Sequence, residues 1–133
     1  MGAWSGEPFG NDVAADWAWE LEEADDWTVV RAALAEATAA DAVIDERTAE
    51  IGIAAAEVVA HGLGRPTQDD AYTGEVTTFV TRAASPSPAV VALALRAIDR
   101  AADPEGELGR MWTGCGDEAW REALERLTAA LHG

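Results

Sequence analysis

Alanine, spread through stretches of charge and cut at intervals by helix-capping signals, is the feature that most limits what this chain can become. Apolar residues make up 49% of the sequence, and much of that share is alanine. Alanine is the best helix former and the smallest core side chain, so a core built from it requires helices that approach closely. No long alternating β-branched run competes with this reading. The nearest, Val76 to Val80, is short and sits among helix-compatible residues. The pattern therefore predicts an all-α fold, a compact orthogonal bundle of about five main helices with one or two short ones. At 133 residues the chain lies within the commonest domain size, which predicts one domain over residues 1–133.

Capping signals divide the chain. Asn11 or Asp12 opens a first helix to about Glu23, with Ala14, Trp17, Ala18 and Leu21 on one face. The acidic run Glu22-Glu23-Ala24-Asp25-Asp26 then caps a second helix, about Trp27 to Ala39, striped with Trp27, Val30, Leu34 and Ala37. Asp41 or Asp45 starts the longest helix, which runs to about His61 with Ile44, Ile51, Ala55 and Val58 at helical spacing and ends at Gly62 and Gly64. This helix is expected to be the hub of the core. A polar loop, residues 64–74, precedes a short helix from Glu75 to Arg82. Ser85-Pro86-Ser87-Pro88 is the clearest punctuation, placing Ser87 as an N-cap and Pro88 at the first helical position. The helix behind it, apolar on most of its circumference through Val90, Val91, Leu93, Leu95 and Ile98, is expected to be deeply buried. Asp103-Pro104 stops it, and a brief helical turn carries Leu108, Met111 and Trp112 before a Gly114-Cys115-Gly116 turn. The last helix, Asp117 to Leu131, aligns Trp120, Leu124, Leu127 and Leu131, with Glu122 and Arg126 as an i,i+4 pair on the other face.

The first ten residues form an arm. Gly2, Gly6, Gly10 and Pro8 favour ordered, non-helical backbone, and Trp4 and Phe9 supply the apolar area to tie it down, with Trp120 of the last helix as the expected partner. Trp4, Gly6, Phe9, Asn11, Asp12, Ala15, Asp16 and Trp17 together resemble the N-terminal opening pattern of a bacterial family known as domain of unknown function 4259. AAAEVVAHGLGRP, residues 54–66, and LGRMWTGCGDEAWREALERL, residues 108–127, extend the similarity over most of the chain. Ser5 stands where that pattern has glycine, and Gly10 where an acidic residue is common. The resemblance implies a small, mostly helical bacterial domain and brings no catalytic residues with it.

Charge is the second constraint. Twenty-five acidic residues face nine arginines and no lysine, a net charge of −16. The first 50 residues hold 13 of the acids and two of the arginines. Such a field repels nucleic acid and membrane phosphates and speeds encounter with a basic protein, so neither nucleic acid nor membrane is expected as a partner. The start of the chain lacks both a basic segment and a continuous apolar one, which gives a cytoplasmic expectation. Cys115 is the single cysteine, too few for a disulfide or a zinc site.

Catalytic patterns are thin, and neither a catalytic residue nor a cofactor is expected. There is no Walker lysine and no nucleophile elbow; Arg65 and Arg82 are scattered, and His61 is expected to meet Glu57 and the helix dipole. Two readings remain. The leading one is a non-enzymatic interaction domain, inhibitor or immunity-like, that binds a basic protein through Glu20, Glu22, Glu23, Asp25 and Asp26, as a monomer or, with Trp19 or Trp112 exposed, as a homodimer. The alternative is a small metal-binding protein or hydrolase using Asp12, Asp16 and Glu20, four residues apart along one helix, with His61.

Overall fold

Helix starts follow the caps. A computed structural model describes residues 5–39, 43–116 and 118–133; Trp4, expected to anchor the arm, and Asp41 and Asp117, expected at helix starts, lie outside the described residues. Among the described residues there are seven α-helices and no strand: α1 (Asp12–Ala18), α2 (Thr28–Ala39), α3 (Glu46–Gly62), α4 (Gly74–Arg82), α5 (Pro88–Ala101), α6 (Glu107–Cys115) and α7 (Glu118–His132). Side-chain oxygens of Asn11, Asp45 and Ser87 accept from the N–H groups of Ala14, Thr48 and Val90, satisfying donors that the first helical turn leaves free. Asp70 and Thr73 cap each other reciprocally at a 3₁₀ turn, Ala71–Thr73, that leads into α4. None of the helices is long and apolar enough to cross a membrane.

The fold is all-α and compact, with α3 at its centre, in contact with each of the other six helices. From Ala49 to His61 every residue of α3 except Ile51 is buried. Small side chains make that possible. A Cβ added at Gly52 would come within 2.9 Å of the Ala37 Cβ on α2, so the two backbones approach to a distance only glycine and alanine allow. Larger groups close the ends: Trp27 meets Phe79 edge to face at 5.1 Å and donates its indole N–H to the Ala84 carbonyl at 2.7 Å.

Four expectations need correction. The first helix stops at Ala18, and Trp19–Glu23 continue as a 3₁₀ turn, because the tighter winding turns Leu21 fully into the core. α5 is less deeply buried than its composition suggests: Val91, Leu93 and Leu95 are half-buried, since the alanine-rich α3 takes the central place that only small side chains fit. Gly114 and Cys115 belong to the last turn of α6, leaving Gly116, at φ 86°, to make the turn. Arg126 pairs with Glu7 of the arm at 3.0 Å, drawn there because the arm crosses its helix.

Two acids lie on the buried face of α3. The Glu57 side chain is fully buried and its carboxylate is saturated: it accepts from the Thr67 N–H (2.9 Å), the Thr67 hydroxyl (2.6 Å) and the Gln68 N–H (2.9 Å). His61, one turn on, has Nε2 at 3.0 Å from Glu57 and 2.9 Å from the Gln68 carbonyl. Both facing atoms are acceptors, so Nε2 carries the hydrogen. Gln68 in turn takes the Phe9 N–H on its side-chain oxygen at 2.8 Å. One buried carboxylate thus organises the 67–68 loop, and the loop holds the arm. Replacing Glu57 by Ala strands several buried donors at once and is expected to cost about 3 kcal/mol in urea unfolding, whereas a loss below about 1 kcal/mol would show the network to be dispensable.

Candidate functional site

Trp19 is the large apolar residue most exposed to water among those described, at 60%. It stands at the start of the 3₁₀ turn, and Glu20, Glu22 and Glu23 follow it, all exposed. A turn of five residues would ordinarily leave its carbonyls to solvent. Here Arg82, at the end of α4, donates Nη2 to the carbonyls of Leu21 (2.7 Å) and Ala24 (2.8 Å), while its Nε lies 3.5 Å from the Asp25 carboxylate. Asp26 accepts from the Thr28 N–H at 3.0 Å. Hydrogen bonds from the Thr28 backbone and hydroxyl, with Arg31 nearby, hold its carboxyl below the ordinary range. So the five acids differ in their surroundings: Asp26 accepts from the first residue of α2, Asp25 faces Arg82, and Glu20, Glu22 and Glu23 are exposed to solvent.

A groove of about 440 Å³ runs beside this turn, between α1, α2 and α3. Trp17, Val29 and Ile51 give it apolar walls, with Glu20, Glu36 and Arg47 among the polar ones. Ile51 is the one α3 residue between Ala49 and His61 that is not buried, and it lines this groove.

The four residues of the metal or hydrolase reading do not form one cluster. Asp12 and Asp16 are exposed on α1, Glu20 lies beyond the end of that helix, and His61 is buried in α3 with Nε2 engaged. Among the described residues no group of three or more His, Cys, Asp or Glu could hold a metal ion. Arg65 and Arg82 both donate to backbone carbonyls, Arg65 to that of Ala130 and Arg82 to that of Leu21.

A second site lies under the arm. Residues 5–10 are non-helical, and Gly6 rests against the first turn of α7: an added Cβ would sit 2.8 Å from the Trp120 Cα. Between arm and bundle is a crevice of about 10 Å³, lined by Glu7, Asn11, Glu50, Trp112 and Trp120 among others. Trp112 stacks on Trp120 at 6.0 Å. Glu50 is buried, and burial pushes its carboxyl up to about 7, with the like charges of Glu46 and Asp12 adding to the effect. Sequence reasoning missed Glu50, although an acid at a core position of α3, seven residues before Glu57, was a readable signal. Gln68 and the Arg82 clamp had no local signal, since both act across the fold.

Two outcomes follow. Gly6→Ala forces a Cβ onto backbone and is expected to displace the arm at a cost of about 1–3 kcal/mol, checked by urea unfolding; unchanged stability would place the arm elsewhere. Glu50 ionises near 4.5 when unfolded and near 7 when folded, so the unfolded chain gives up its proton first. Its contribution to stability is thus intact in acid and is lost as pH rises through that window. Relative to Glu50→Gln, the native chain is expected to lose on the order of 1–3 kcal/mol between about pH 5 and pH 8 in denaturant titrations, and parallel profiles would contradict this.

No curated protein and no solved structure matches the chain. The family model described as "Domain of unknown function (DUF4259)" matches residues 2–123 of the 133. That match covers the arm, the acidic turn and the crevice together, and the chain belongs to this family.

Proposed function

We propose that this protein is a non-enzymatic interaction domain that binds a basic protein through the turn bearing Trp19, Glu20, Glu22 and Glu23. The observation that carries the reading is an indole 60% exposed on a turn whose backbone is clamped from behind by Arg82. Tryptophan is enriched among residues that dominate binding energy, and a turn already ordered loses little freedom on association. Surrounding carboxylates steer a cationic partner and reject acidic ones. The groove beside the turn, with Glu20 and Glu36 on its edges, offers an apolar seat next to the charge. Inhibition of, or immunity to, a basic protein is the role such a surface suits.

The test is capture from lysate of the source cells at low and high salt, using the intact chain, Trp19→Ala, and a Glu20→Gln, Glu22→Gln, Glu23→Gln triple variant. A basic protein held by the intact chain at low salt, released by salt and lost by both variants is the expected result. Equal capture by all three chains would overturn the reading.

A further inference from the structure

We propose that the groove between α1, α2 and α3 receives an amphipathic helix of the basic partner, with apolar side chains on its inner face and lysine or arginine along its edges. This rests on the reading of the acidic turn as a site for a basic protein, and it names the segment that protein presents. The case begins with α3. Ile51 is the one residue between Ala49 and His61 that the fold leaves half-buried, and it lines the groove with Val29 of α2, which is half-buried as well. Trp17, itself buried, completes the apolar lining.

The walls are helical, and they suit a helix. Val29, Ala32, Ala33 and Glu36 follow one another along α2 at steps of three and four, so they share one face of it. The distance from Val29 to Glu36 along the axis is about 10 Å, two turns of an occupant running beside it. Ala32 and Ala33 carry little side chain, which lets a second backbone come close. The space of about 440 Å³ falls in the range of binding clefts. An extended segment finds no sheet edge to join, since there is no strand among the described residues.

The rim sets the charge. Glu20 and Glu36 line the groove, both are exposed, and neither is hydrogen-bonded or ion-paired with a described residue. Arg47 is the cation set against these two acids, and Glu22 and Glu23 add to the negative field from the turn. Cations on the edges of the occupant therefore meet carboxylates that the described residues leave unpaired, while its apolar face meets Val29 and Ile51.

The probe is a synthetic helical peptide with leucines at i, i+3, i+4 and i+7 and lysines on both flanks, titrated into the full chain and followed by methyl NMR. Two controls accompany it, one with the same residues scrambled and one with glutamate in place of lysine. Shifts at the Ile51 and Val29 methyls that saturate only with the striped lysine peptide are expected. Ala32 is exposed on α2, so Ala32→Gln fills the groove without adding charge or disturbing the core, and it is expected to weaken binding about tenfold. Glu36→Gln removes one carboxylate and is expected to weaken it about threefold. Absence of methyl shifts up to about 1 mM striped peptide, equal affinity for either control, or undiminished affinity in Ala32→Gln would overturn the groove as the seat. The titration needs no cellular partner, which separates it from the turn: capture from lysate lost in Trp19→Ala but kept in Ala32→Gln would overturn the groove and leave the turn standing.

Discussion

The Glu57 carboxylate, buried inside the central helix and filled by donors from the 67–68 loop, is the interaction on which the other parts of the structure lean. A charge in that position would be untenable alone. Its cost is offset because Thr67 supplies both its N–H and its hydroxyl, and Gln68 its N–H, to two oxygens. Once the loop is set there, the Gln68 side chain is placed to accept the Phe9 N–H and to donate to Asp70, which caps the turn into α4. Arm, central helix and α4 are therefore registered against one another through a single acid.

The same helix shows what acids do when donors are withheld. Glu50 shares the buried face with Glu57 but meets apolar walls and other carboxylates, and burial pushes its carboxyl up to about 7. On the surface the acids do a third thing. Asp26 caps α2, Asp25 faces Arg82, and Glu20, Glu22 and Glu23 are left to solvent around Trp19. Position, more than the overall charge of −16, decides which acids shape the fold and which are available to a partner.

Helices were legible wherever a cap and an apolar stripe agreed. Ser87 with Pro88, Asp45, and the Trp27-Val30-Leu34-Ala37 stripe all sit as local chemistry requires. The hub role of α3 was also readable, since small residues on every side of a helix suit it to the centre. What local pattern did not carry was whatever acts across the fold. Nothing near Arg82 in sequence announces that it will clamp carbonyls some 60 residues away. Helical spacing predicted one continuous first helix through Glu23, yet the winding changes to a 3₁₀ turn after Ala18, where Leu21 is fully buried. The acidic turn was visible as charge; that Arg82 bonds its backbone carbonyls was not.

The most direct test of the central account is hydrogen exchange at the Thr67 and Gln68 amides, whose protons point at Glu57 from a loop with no helical protection of its own. If the carboxylate organises the loop, these two amides exchange as slowly as Val58 in the middle of α3 and open only with the whole domain. Exchange at the rate of an exposed loop would mean that the loop is held by something other than Glu57, and the account of how arm and core are joined would fail with it.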